Sequence, residues 1–151
     1  MIHTHRFRVR YAETDAMRVA HHAAYLVWLE EARVEALRAL GFSFADVEAS
    51  GYGHAVRELR IQYRLPARFD QALVLRVAIA YARGARMTFG YRLFDALEWD
   101  TLGEPGASPL AVAMTEMIWV TPEGKPTRLP PSHPLAPVLD AQQRHPDWAE
   151  W

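Results

Sequence analysis

A carboxylate and two histidines near the start of the chain have the types and spacing for catalysis. Asp15 lies in an irregular stretch, and His21 and His22 follow at the beginning of a predicted helix. A carboxylate beside a helix N-terminus can attack a carbonyl or activate water. The free N–H groups of the helix end suit a developing oxyanion. Alternatively, Asp15 merely caps the turn.

The histidine pair is a poor candidate for a metal site. Adjacent side chains project to different sides of the backbone, and the chain has no cysteine to complete a zinc site. His3 and His5 share a strand face but lie close to the start of the chain. We therefore expect no metal, and we expect His22 to act through its backbone N–H rather than its imidazole.

Acidic residues on the predicted helix form a third candidate set, made up of Glu30, Glu31 and Glu35. One of them could act as a general base if it faced a cleft. Alternatively, they form a solvated or interface face with pairs such as Glu35–Arg38, which contribute only a few tenths of a kcal/mol each.

Composition excludes several classes of protein. The chain has 151 residues, 50% of them hydrophobic, a net charge of −1 and no cysteine. These values predict one folded domain and exclude disulfide scaffolds, thiol nucleophiles and extensive disorder. Near-neutral charge argues against nucleic-acid binding. No signal peptide, membrane span or G-x-S-x-G motif is recognised, so we expect a cytoplasmic protein without a serine-hydrolase site.

Hydrophobic periodicity predicts one long helix and five strands. The helix spans Ala23–Leu40, with Arg33 on its polar stripe, and Phe42–Gly53 is expected to be a connector. Alternation at Phe7, Val9 and Tyr11 predicts the first strand. The other strands, with no further helix between them, are expected at Ala55–Leu65, Ala72–Ala82, Arg86–Trp99 and Leu110–Val120. This order predicts an α+β fold in which one antiparallel sheet wraps the helix.

We divide the chain into a domain at 1–130 and a C-terminal extension at 131–151. The extension is rich in proline and ends in Trp148 and Trp151. It is either a partly ordered surface tail or a segment held by its tryptophans against a neighbouring surface.

Three motifs resemble one enzyme family. Val9–Glu30, which contains Asp15 and His22, resembles the opening of the 4-hydroxybenzoyl-CoA thioesterase family, including its YbgC-like acyl-CoA thioesterases. Tyr63–Asp70 resembles the family's Tyr-x-x-Pro-Ala-x-x-Asp stretch, and Gly124–Pro130 resembles its usual ending.

The resemblance implies a hotdog fold, with one long central helix wrapped by a five-stranded antiparallel sheet. It also implies hydrolysis of an acyl-CoA to a free acid and CoA. Asp15 falls on the catalytic aspartate, His22 on the position whose backbone N–H polarises the thioester carbonyl, and Tyr25 on a tyrosine in the first helical turn. Such enzymes work without a metal or prosthetic group, at a dimer interface, and their dimers often pair into homotetramers.

Two residues depart from the family pattern. Arg18 replaces a usual glycine, and Ala24 replaces a frequent asparagine. Because arginine adopts positive φ less readily than glycine, either the loop backbone differs or Arg18 lines the site.

Substrate contacts are predicted from residue type and position. Tyr25 and Trp28 are expected in the acyl pocket, together with residues of a second subunit. A basic rim for the CoA phosphates is expected from residues in or near turns, namely Arg83, Arg86, Lys125 and Arg128. Alternatively, these four are ordinary solubilising charges.

Two other functions remain open at this stage. One is a hotdog dehydratase or hydratase, which needs a helix glutamate and a histidine facing one substrate. The other is a non-catalytic scaffold that binds acyl thioesters. We also expect a homo-oligomer, because five strands cannot cover the whole helix, and its remaining face or the sheet edge would then meet a second copy of the chain.

Overall fold

A five-stranded antiparallel sheet wrapped around helix α1 forms the architecture. A computed structural model describes residues 1–142 and 144–150. The strands are, in chain order, β1 (Ile2–Arg8), β2 (Gly53–Tyr63), β3 (Ala72–Arg83), β4 (Arg86–Asp95) and β5 (Ala111–Val120). Their order across the sheet is β1-β3-β4-β5-β2, and every neighbouring pair is antiparallel. The predicted α+β class is confirmed.

Helix α1 (Ala24–Ala39) matches the predicted span to within one residue at each end. The residues on its sheet-facing side recur at intervals of three and four, as expected of an amphipathic helix. The buried residues of α1 are Tyr25, Trp28, Leu29, Ala32, Arg33, Ala36 and Leu37. Placing Arg33 on the polar stripe was wrong, since only 7% of its side chain is exposed and its Nη2 donates to Glu30 Oε2 at 3.0 Å.

Burial of the strands follows their order in the sheet. Strands β3 and β4 lie inside the sheet and are buried on both faces over most of their length, as the apolar run at Ala72–Ala82 predicted. Strand β2 forms an open edge, carries a bulge between Val56 and Glu58, and is largely exposed. Within the described residues, no helix has the length and apolar character needed to cross a membrane.

Two predictions for the N-terminal half of the chain were wrong. The first strand ends at Arg8, and Tyr11–Glu13 form a 3-10 turn instead of continuing it. The Phe42–Gly53 connector contains a short helix, α2 (Phe44–Ala49). This helix begins with a capping box, in which Ser43 Oγ accepts from the Asp46 N–H at 3.1 Å.

The expectation that no further helix separates the strands was also wrong. Helix α3 (Ala96–Gly106) follows β4 directly, so the strand predicted to reach Trp99 ends at Asp95. Asp95 Oδ1 accepts from the N–H groups of Leu97 (2.9 Å) and Glu98 (3.0 Å), which makes Asp95 the N-cap. Helix α3 covers part of the sheet face opposite α1, where Val74 and Phe94 are buried.

The C-terminal extension packs on both faces of the sheet. Helix α4 (Leu135–Asp140) contributes Leu135 and Leu139 to the core around α1. Trp148, in a 3-10 turn, lies buried on the opposite face, with the Arg92 guanidinium 4.5 Å from its ring centroid. The interpretation of a segment held by tryptophan is therefore correct for Trp148, whereas Trp151 lies outside the described residues.

Close packing of Trp148 on the backbone at Gly90 yields a first prediction. A Cβ at Gly90 would lie 2.3 Å from the Trp148 carbonyl oxygen. Gly90→Ala should therefore lower the free energy of unfolding by about 1–3 kcal/mol, the usual cost of overpacking. Chemical denaturation measures this, and the cost should shrink when Trp148→Ala is also present, because loss of the buried indole frees the segment that carries the clashing carbonyl to move away from Gly90. Fully additive costs would contradict the contact.

Candidate active site

A tight hairpin loop fixes the backbone on both sides of Asp15. The Asp15 N–H donates to the Val19 carbonyl at 3.0 Å, and the Arg18 N–H donates to the Asp15 carbonyl at 2.9 Å. Asp15 Oδ1 accepts from the Met17 N–H at 2.8 Å, as an aspartate that begins a turn commonly does. No described residue donates to Oδ2. One oxygen thus orients the carboxylate, and the other is available for chemistry.

Arg18 adopts the left-handed conformation that closes this loop. Its φ is 61°, in a region where a side chain costs about 1 kcal/mol and glycine is the usual residue. The sequence left two outcomes open, a different loop backbone or an arginine lining the site. The backbone keeps its positive φ, and Arg18 is absent from the lining of the cleft described below.

Ala67 attaches the loop and the first helical turn to the segment that follows β2. Its carbonyl accepts from the Ala20 N–H at 2.8 Å, and its N–H donates to Tyr25 Oη at 3.4 Å. Ala67 is fully buried, so a larger side chain would not fit here. The alanine of the Tyr63–Asp70 motif therefore has a structural explanation.

Glu13 joins the loop to α1 through its carboxylate and its carbonyl. Oε1 accepts from Trp28 Nε1 at 3.0 Å and from Arg10 Nη2 at 2.7 Å, while Oε2 accepts from the Arg10 N–H at 2.7 Å. The Glu13 carbonyl accepts from the His21 N–H at 2.7 Å. Burial alone raises the pKa of Glu13, but the hydrogen bonds from Arg10 and Trp28 outweigh it and lower the pKa below its ordinary value.

The backbone N–H of His22, at the start of α1, remains open. The Ala23 N–H donates to His21 Nδ1 at 3.2 Å, and the Ala24 N–H donates to the His21 carbonyl at 2.9 Å. The His22 N–H finds no acceptor among residues 1–142 and 144–150. Since a helix N-terminus carries partial positive charge, this N–H is a donor suited to an anionic oxygen.

Asp15, His22 and Tyr25 line one open cleft of about 370 Å³. The remaining lining residues, from the loop and the end of β2, are Val19, Ala20, Tyr63, Arg64, Leu65 and Pro66. Trp28 does not reach this cleft, since it is 2% exposed and lies behind Tyr25, at 4.7 Å between ring centroids. Ala24 is likewise absent from the lining.

Three of the four residues expected to form a basic rim lie together in a second groove, away from the Asp15 cleft. Arg83, Arg86 and Arg128 line a groove of about 410 Å³, together with residues of α4. Lys125, in the neighbouring turn, is not part of its lining. Because β3 ends and β4 begins at this groove, it lies at the opposite end of the sheet from Asp15. Within one subunit, the structure thus separates these residues from the cleft.

Two residues of the site were missed from sequence. Glu13 carried a signal, since it is an acid in the loop before the helix, but its bond to Trp28 depends on the fold. Tyr63 belongs to the quoted Tyr63–Asp70 motif, yet nothing in the sequence indicated that its hydroxyl donates to the His22 carbonyl at 3.0 Å. Among the described residues, no group of three or more His, Asp or Glu side chains is placed to hold a metal ion.

Residues 17–97 match the model of the thioesterase superfamily, which is more than half of the chain. The chain belongs to this superfamily. The match includes His22, Tyr25 and Tyr63 but begins just after Asp15.

Two bacterial relatives have similar names. The chain is 37% identical over 89 residues to the acyl-CoA thioester hydrolase YbgC of Escherichia coli (strain CFT073), an alignment covering 59% of this chain and 66% of the relative. It is 37% identical over 87 residues to the acyl-CoA thioesterase YbgC of Haemophilus influenzae, covering 57% and 64%. The alignments span less than two thirds of either relative's length.

A solved structure extends the likeness over most of the fold. The DHNA-CoA thioesterase from Staphylococcus aureus superposes with a TM-score of 0.77 and 28% sequence identity, covering 88% of this chain and 84% of that one. The hotdog fold predicted from the resemblance is confirmed.

The strained conformation of Arg18 yields a second prediction. Arg18→Gly should raise the free energy of unfolding by about 0.5–1 kcal/mol, because glycine adopts positive φ without a steric penalty. Thermal or urea denaturation measures the gain. Arg18→Lys, which keeps a side chain at this φ, is the matched control and should leave stability unchanged. An equal gain in both variants would show that loss of the guanidinium, not relief of backbone strain, is responsible.

Proposed function

We propose that the protein is an acyl-CoA thioesterase that hydrolyses a small or medium acyl- or aroyl-CoA to the free acid and CoA. The observation that carries the proposal is the pairing, in one cleft, of the Asp15 carboxylate with the open His22 N–H at the start of α1. These groups supply the two things that thioester hydrolysis needs, namely a nucleophile or base and a donor for the oxyanion.

The reaction begins with addition to the thioester carbonyl carbon. As a general base, Asp15 takes a proton from water and the hydroxide adds; as a nucleophile, Asp15 adds directly and forms a mixed anhydride that water then cleaves. In both routes negative charge moves to the carbonyl oxygen, which the His22 N–H stabilises. Breaking the C–S bond then releases CoA thiolate and leaves the free acid in the general-base route or the mixed anhydride in the nucleophilic route. The thiolate takes the proton held by Asp15 in the first route and a proton from solvent in the second.

These two routes give different labelling patterns. Under single-turnover conditions in labelled water, solvent oxygen found in Asp15 identifies the nucleophilic route, with water cleaving the mixed anhydride at the Asp15 carbonyl carbon, whereas the general-base route places label only in the product acid. The proposed reaction uses a carboxylate, an amide and water, with no prosthetic group.

The acyl group is proposed to lie against Tyr25, which lines the cleft and is itself nearly fully buried. Trp28 supports this wall from behind and bonds Glu13 instead of contacting substrate. This role replaces the direct substrate contact expected of Trp28.

The CoA phosphates are proposed to bind in the groove of Arg83, Arg86 and Arg128, with Lys125 nearby. This groove and Asp15 lie at opposite ends of the sheet, so one CoA molecule could contact both only across two subunits. The open edge of β2 offers the contact, because antiparallel pairing of two β2 strands would place the partner's groove beside the Asp15 end. We propose a homodimer on this basis, with pairing into a homotetramer as a further step.

A dehydratase would need a helix glutamate in the cleft. Glu30 pairs with Arg33, Glu31 lies 3.6 Å from His5 and Glu35 pairs with Arg38, so none of the three faces Asp15 and His22. The geometry therefore favours hydrolysis. The non-catalytic scaffold becomes an outcome of the next experiment.

Substitution of Asp15 tests the chemistry. Asp15→Asn should lose more than nine tenths of hydrolysis because the amide can neither attack nor accept a proton efficiently. His22→Ala should be milder, since the backbone N–H persists, although losing such a donor outright costs about 2.7–4 kcal/mol. A panel of acyl-CoA thioesters with thiol-release detection measures both variants.

Each outcome of that panel is decisive. If Asp15→Asn retains more than a tenth of wild-type activity, the role proposed for Asp15 is wrong. Binding without turnover by the wild-type protein would instead support the scaffold function.

Substitution in the basic groove tests CoA recognition. Arg86→Gln combined with Arg128→Gln should raise KM for a CoA thioester about fivefold or more, through loss of charge-assisted bonds to phosphate. KM for the matching N-acetylcysteamine thioester, which lacks phosphates, should not change. Arg6→Gln combined with Arg38→Gln removes the same two charges outside the lining of the groove and is the charge-matched control. Equal effects on both substrates would refute phosphate binding in this groove.

A further inference from the structure

Tyr63, the last residue of β2, contacts the backbone of His22 from across the cleft. Its hydroxyl donates to the His22 carbonyl at 3.0 Å, and its ring lines the cleft while remaining 44% exposed. The hydroxyl therefore bonds the very residue whose N–H the proposed reaction uses.

The helix itself does not hold this carbonyl. The Ala24 N–H donates to the His21 carbonyl, and the Leu26 N–H donates to the Ala23 carbonyl at 3.2 Å. The first hydrogen bonds of α1 therefore use the carbonyls on either side of His22 and not the His22 carbonyl. Within the described part of the chain, the donor to the His22 carbonyl is the Tyr63 hydroxyl. Without it, the peptide between His22 and Ala23 keeps only the bond from the Ala23 N–H to His21 Nδ1, at 3.2 Å.

Tyr63 is in turn firmly positioned. Its ring meets the buried Tyr25 ring edge-on, with centroids 4.9 Å apart and an interplanar angle of 87°. Directly after it, the N–H groups of Arg64 and Leu65 both donate to the Leu110 carbonyl, at 2.9 and 3.0 Å. Partial burial also raises the pKa of Tyr63, so the hydroxyl stays protonated and can donate throughout the neutral pH range.

We propose that Tyr63 is a positioning residue for the oxyanion donor: its hydroxyl holds the His22 carbonyl, in the peptide that follows the His22 N–H, and so limits the rotation at the His22 Cα that would turn this N–H away from the cleft. The bond from the His21 N–H to the Glu13 carbonyl secures the preceding residue, so the chain is held on both sides of the His22 N–H. This proposal rests on the proposed hydrolysis. Tyr63 touches the donor rather than the reacting atoms, so its loss should slow the chemical step without weakening substrate binding.

Tyr63→Phe tests the proposal because it removes the hydroxyl and keeps the ring. We expect kcat to fall about tenfold, with KM within about twofold of the wild-type value. Tyr81→Phe is the matched control, since its hydroxyl donates to Glu150 Oε1 at 2.9 Å, away from the cleft. It should leave both constants unchanged.

Backbone NMR relaxation of the free protein gives a second result that does not depend on turnover. In Tyr63→Phe, the order parameter of the His22 N–H should fall from about 0.85 towards about 0.6, while that of Leu37 in the last turns of α1 stays unchanged. A kcat within twofold of wild type would overturn the proposal. So would a fall in kcat with an unchanged His22 order parameter, because the hydroxyl would then act on substrate.

A wild-type protein that hydrolyses no thioester would refute the proposed function instead. The relaxation experiment would still decide whether Tyr63 fixes the His22 backbone. The two failures are thus distinguishable.

Discussion

The buried carboxylate of Glu13 is the constraint on which the site depends. It accepts hydrogen bonds from the Trp28 indole and from Arg10, while the Glu13 carbonyl holds the His21 N–H. An irregular loop cannot orient a reactive group unless its backbone is anchored to a rigid element. Through Glu13 the loop is attached to the buried face of α1, and the positions of Asp15 and His22 become fixed relative to each other.

In the proposed reaction, the two ends of the sheet have different tasks. The Asp15 end supplies a carboxylate, an open amide and aromatic walls, whereas the other end supplies three arginines around a groove. An antiparallel pair of β2 edges reverses one subunit relative to the other and so brings unlike ends together. In the proposed assembly, the dimer is therefore part of the active site.

Sequence alone predicted the elements that have a clear periodicity or a continuous apolar run. Helix α1 and strands β3 and β5 fall within one residue of their expected spans, and β2 falls within two. Helix α3 was missed because alternation in β4 continues into Trp99, although Asp95 followed by Glu98 is a recognisable N-terminal signal. Burial of Arg33 and the bond from Tyr63 to His22 could not be predicted, because each depends on which distant residues the sheet brings together.

Placement of the thioester carbonyl against the His22 N–H is the central claim, and a crystal structure of Asp15→Asn with a bound, unhydrolysed acyl-CoA tests it most directly. The account predicts that the carbonyl oxygen lies about 3 Å from His22 N, with the acyl carbon facing residue 15. A thioester whose carbonyl oxygen points away from the start of α1, beyond about 4 Å from that nitrogen, would contradict it.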